Sequence, residues 1–132
     1  MKPYALALCL LAVAASPSRA QTPATGRVMR EKLAHAQKIL EAIMTSNYSA
    51  LEHESAALEQ ATRSPGWDVL KSPEYRRQSE AFMRATQALQ EAAKAHDLDA
   101  AIMRYGSMTL ACFDCHRYIK NSRIASQPSA PK

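Results

Sequence analysis

Glycine occurs only three times in this chain of 132 residues. β-Branched residues are thinly spread, and nothing in the pattern favours strands. A sheet-based fold is thereby excluded. No solenoid period and no long low-complexity block appears. After the first twenty residues no second apolar stretch follows, so the body of the chain offers no membrane span. Lys and Arg are scattered among Glu and Asp, without the basic stripe or reader motif that nucleic-acid binding calls for. No nucleophile–base pair, paired carboxylates or phosphate-cradling loop suggests catalysis, so the expectation is a protein that is not an enzyme. Cysteine is scarce as well: Cys9, Cys112 and Cys115.

The N-terminus reads as a targeting segment. Lys2 precedes the apolar run "YALALCLLAVAA", and "SPSRA" closes with small residues at Ser18 and Ala20. This is the layout of a secretory signal peptide cut after Ala20, with the product exported to the periplasm. The run is too short to span a bilayer comfortably, so no membrane association is expected after cleavage. Loss of Lys2 and Arg19 lowers the formal charge from +5 to +3. Cys9 leaves too. The two remaining cysteines lie three positions apart and cannot form a disulfide framework.

What remains, residues 21–132, is rich in Ala, Leu, Glu, Lys, Arg and Gln, the strong helix formers. Helix 1 is expected from about Arg27 to Ser46, with a stripe of Met29, Leu33, Ala36, Leu40 and Ile43. Helix 2 is expected to open on Ser49 as N-cap with Glu52 completing a capping box, and to bury Leu51, Leu58 and Ala61. Pro65-Gly66 ends it, and Trp67 and Leu70 tuck back against the bundle. Ser72-Pro73 restarts helix as N-cap and first residue. Helix 3 carries Tyr75, Gln78, Phe82, Ala85, Leu89 and Ala92. Asp97 caps helix 4, whose stripe is Leu98, Ala101, Tyr105, Met108, Cys112, Cys115 and Ile119. A polar, proline-bearing tail is expected to be loose from about residue 122. Together these helices predict an all-α, antiparallel up-down-up-down four-helix bundle.

The chemistry is concentrated in "ACFDCHRYIK", Ala111 to Lys120. A thioredoxin-like dithiol follows a strand and sits at a helix N-terminus, where the dipole lowers the thiolate pKa; this pair lies about four turns into a predicted helix. Zinc needs about four ligands, and no second cysteine pair exists. Two buried cysteines beside a satisfied histidine are the purely structural alternative. Cys-x-x-Cys-His is the attachment signature of a c-type haem. In that chemistry Cys112 and Cys115 form thioethers with the haem vinyl groups and His116 is the proximal iron ligand. Export agrees with it, since this attachment is made outside the cytoplasm.

With four helices, a longer second connection and "CFDCHRYIK" near the C-terminus, the chain resembles the class II c-type cytochromes, the cytochrome c′ and cytochrome c-556 group, over roughly Arg27 to Arg123. It departs from the family pattern in Ile119 and Lys120, where an aromatic residue and an arginine are usual. The resemblance implies a bundle enclosing one covalently attached haem c, a soluble periplasmic monohaem protein and redox protein partners. Dimers formed through helices 1 and 2 occur in parts of that family, so a homodimer is among its implications.

The distal side of the iron then decides the function. Low-spin family members place a methionine on the first helix, which implies Met29 as distal axial ligand and a one-electron carrier. Members with an open position bind NO or CO. Leu33 is expected to pack on the ring beside Met29, and Met108 to lie near the haem from helix 4. His35 and His53 read as outer-face residues and His96 as a neighbour of the helix 4 cap. One of Arg117, Lys120 and Arg123 is a candidate partner for a haem propionate.

Overall fold

A computed structural model describes residues 23–125 of the chain, and these form an all-α four-helix bundle. The helices are α1 (Pro23–Met44), α2 (Tyr48–Ala61), α3 (Pro73–Lys94) and α4 (Leu98–Ala125). They pack sequentially, α1 on α2, α2 on α3 and α3 on α4, while α4 meets α1 only along a thin seam. Among the described residues no helix is long and apolar enough to cross a membrane. The expected signal peptide, residues 1–20, lies outside the described residues. The tail begins later than expected, since α4 continues as helix to Ala125.

The two short turns are built alike. Ser46 and His96 both sit at φ 54°, in the left-handed region. Behind them the amide of Asn47 donates to the Ala42 carbonyl at 2.8 Å, and that of Asp97 to the Ala92 carbonyl at 3.0 Å. This closure satisfies the last carbonyls of α1 and α3 in the Schellman manner. The very next residue starts the following helix. Asn47 Oδ1 accepts from the Ala50 amide at 3.0 Å, and Asp97 Oδ1 from the Ala100 amide at 2.8 Å. The expected cap at Asp97 is present, but the Ser49 capping box is not: α1 ends so abruptly that Asn47 already occupies the cap position. The Tyr48 and His96 rings stack with centroids 4.3 Å apart, so both turns lie at one end of the bundle.

Helix α1 departs from its expected phase. Its buried positions are Thr25, Val28, Lys32, Ile39, Ala42 and Ile43. Leu33 is 59% exposed and Leu40 is 39% exposed. The helix is turned by about one residue from the predicted stripe. The reason is visible in the sequence: a lysine interrupts the inward stripe, which makes the row through the outward Leu33 and Leu40 look the more regular. Helices α3 and α4 keep their expected inner faces, with Tyr75, Phe82, Leu89 and Ala92 buried on one and Ala101, Met108 and Cys115 on the other.

α1 and α2 are also joined by a polar contact. Glu54 of α2 is buried. Its carboxylate meets His35 Nδ1 at 2.6 Å, His53 Nδ1 at 3.3 Å and Lys38 Nζ at 3.5 Å. His35 is therefore an interhelical partner rather than an outer-face residue. Burial alone would raise the Glu54 pKa, but the hydrogen bonds from His35 and His53 and the charge of Lys38 outweigh it and hold the carboxyl below its ordinary value.

Two expectations follow. Replacing Ser46 by Gly removes the left-handed penalty of a side chain and should stabilise the fold by roughly 0.5–1 kcal/mol, read as a higher urea midpoint; an unchanged or lower midpoint contradicts the turn assignment. Glu54→Gln should cost about 1–3 kcal/mol at neutral pH. Because the folded carboxyl has the lower pKa, its contribution is present above the unfolded value and lost as pH falls through the folded one. The acid limb of the wild-type stability profile should therefore flatten in Glu54→Gln. An unaltered limb counts against the contact.

Candidate functional site

The end of the bundle opposite the two turns gathers the start of α1, the connection 62–72, the start of α3 and the end of α4. Gly66 sets how closely the connection approaches. A Cβ there would lie 2.7 Å from the Ala24 carbonyl oxygen and 2.9 Å from Val28 Cγ2. Only glycine lets the backbone pass this near to α1. Next to it, Trp67 is buried, with its ring 5.3 Å from that of Phe82 and its Nε1 donating to Ser79 Oγ at 3.1 Å. The Tyr75 hydroxyl donates to the Trp67 carbonyl. Ser72 caps α3 by accepting from the Tyr75 amide at 3.1 Å, and its hydroxyl lies 2.8 Å from that of Tyr118 on α4. These bonds tie the connection to α3 and α4, and the close approach at Gly66 sets it against α1.

Between them is a cavity of about 180 Å³. Its walls are Thr25, Met29 and Lys32 from α1, Trp67 and Val69 from the connection, Tyr75 from α3, and Cys115, His116, Ile119, Lys120 and Arg123 from α4. The helical repeat brings Cys112, Cys115 and His116 to one face of α4. Both cysteines are free thiols. Cys115 is buried and Cys112 half-buried.

Lys32 dominates the electrostatics. It is 6% exposed. Its Nζ lies 3.7 Å from the centroid of Phe82 and 4.5 Å from that of Trp67. It lines the cavity together with Cys115 and His116 of α4. Burial pushes its pKa down, and the neighbouring Cys112 and Cys115 sulfurs offset this only in part. Burial likewise pushes the Cys115 thiol up, with Lys32 opposing and Cys112 adding to the rise. That direction is opposite to what an attacking dithiol needs. His116 is exposed at the rim of the cavity; partial desolvation there, and then the charge of Lys32, lower its pKa, so its imidazole favours the neutral form with a free lone pair.

The sequence-expected residues divide. Met29, Cys115 and His116 line this one cavity, and Cys112 is one turn along the same helix face. Leu33 points to solvent and does not line it; the α1 residue beside Met29 that does is Lys32. Met108 is buried in the main core and also does not line the cavity. Of the three basic candidates on α4, Lys120 and Arg123 line it, whereas Arg117 bonds Asp114 at 2.7 Å and sits over Phe113. His53 is exposed but bonded to Glu54, and His96 stacks on Tyr48. Lys32 was not anticipated. Its signal was the alternative α1 stripe through Val28, Ile39 and Ala42, on which it falls.

Among the described residues no three His, Cys, Asp or Glu side chains converge as a metal cluster. The chain matches no family model, and no curated protein or solved structure aligns with it significantly.

Gly66→Ala tests how this end is assembled. It should lower stability by roughly 1–3 kcal/mol through overpacking against α1 and shift Trp67 fluorescence to longer wavelength as the connection lifts. Unchanged stability and emission would rule out the close approach.

Proposed function

We propose that the chain is a periplasmic monohaem c-type cytochrome of the class II kind, an electron carrier rather than an enzyme. The observation that carries this reading is the arrangement on α4. A Cys-x-x-Cys-His run deep in a helix turns Cys115 and His116 into an aromatic-walled cavity, with donor side chains facing it from α1. On this reading Cys112 and Cys115 hold the haem by thioethers and His116 is the proximal ligand, its neutral imidazole favoured by partial desolvation. The haem supplies one-electron exchange at iron.

The chemistry of the donor set fits that group, with two thiols and an imidazole on one face. The cavity as it stands, about 180 Å³, is smaller than the roughly 300–1,000 Å³ typical of ligand pockets. Lys32 takes up part of this space, and the thin α1–α4 seam is the place where the bundle can widen. Trp67, Tyr75 and Ile119 exclude water around the site, and Lys120 and Arg123 at its wall suit the propionates. The distal ligand comes from the inner face of α1, where Met29 and Lys32 stand one turn apart. A five-coordinate iron binding NO or CO is the competing reading; two donors facing the cavity from α1 count against it. Redox proteins are the partners this function requires.

Production with its signal peptide in a host that matures c-type cytochromes provides the test. The purified protein should give a c-type pyridine haemochrome spectrum, and the Cys112→Ala/Cys115→Ala double variant should release its haem to acidified organic solvent. Wild-type protein without covalent haem sinks the proposal.

A further inference from the structure

Resting on the haem reading above, we infer that Lys32, rather than Met29, supplies the sixth iron ligand opposite His116. Lys32 is almost wholly buried, whereas Met29 is half-buried. Among the described residues no carboxylate lies within ion-pair distance of Lys32. If the position needed only filling, an apolar side chain would serve without the desolvation of a charge. What holds the ammonium instead is a pair of aromatic faces, Phe82 at 3.7 Å and Trp67 at 4.5 Å. That contact holds Lys32 on the wall of the cavity that Cys115 and His116 line from α4.

The side chain therefore brings a strong nitrogen donor from α1 to the cavity that His116 lines from α4. On coordination the ammonium gives one proton to solvent, and the freed lone pair forms the nitrogen–iron bond. Nothing is oxidised or reduced in that step. Met29, three residues earlier on the same face, then packs beside the ligand as an apolar wall.

The experiment uses the matured holoprotein as wild type, Lys32→Ala, Lys32→Arg and Met29→Leu, with ferric absorption and electron paramagnetic resonance spectra. The wild type should be low-spin and lack the sulfur-to-iron charge-transfer band of methionine ligation. Both Lys32 variants should lose the low-spin signal and become high-spin, while Met29→Leu keeps the wild-type spectrum. Lys32→Arg retains length and charge without a donating lone pair, so with unchanged helical circular dichroism its loss of signal reports ligation rather than folding. A methionine band in the wild type that Met29→Leu abolishes overturns the lysine assignment and leaves the haem reading intact. So does a high-spin wild type indifferent to both Lys32 variants. A wild type carrying no covalent haem overturns both.

Discussion

The packing of Trp67 holds the functional end of this bundle in place. Its ring packs against Phe82 and beneath the Lys32 ammonium, its indole nitrogen is held by Ser79, and its carbonyl accepts from Tyr75. Gly66 beside it allows the chain to touch the backbone of α1. The connection thus couples α1 to α3 at the end of the bundle that holds the cavity. Buried aromatic area of this kind contributes to cores well beyond its share of residues, and here it also forms a wall of the cavity. Stability and site geometry depend on the same residue.

The opposite end is held by repetition. The α1–α2 and α3–α4 hairpins use the same left-handed residue, the same carbonyl closure and the same side-chain cap, fifty residues apart from Ser46 to His96. α1 and α3 also have the same length, 22 residues. Two well-capped hairpins fix the register at that end; at the other, α2 and α3 are joined by a longer connection. The thin α1–α4 seam runs between two of the helices that line the cavity.

Much of this was legible in the sequence, for identifiable reasons. Helix content followed from composition, the Ser72-Pro73 and Asp97 starts from cap chemistry, and the inner face of α4 from an uninterrupted apolar period that the two cysteines complete. The phase of α1 was not legible. Leu33 and Leu40 form a more regular stripe than the true one, because Lys32 stands within the true one and periodicity counts it as polar. The Asn47 cap was hidden by a left-handed Ser46, a conformation that serine does not advertise. His35 and Glu54 looked like surface residues because each is hydrophilic, and only their pairing across α1 and α2 makes burial affordable. In each case a long-range contact overrode a local rule. Lys32 carries the same lesson, since a lysine on an inner face is recognised only once the rings that hold it are in place.

Covalent attachment of one haem through Cys112 and Cys115 is the central proposal. Intact-mass spectrometry of the exported protein under denaturing conditions tests it most directly. The predicted result is a single species with the mass of the chain from Gln21 plus one haem. The mass of that chain alone, with both thiols open to alkylation, would contradict it.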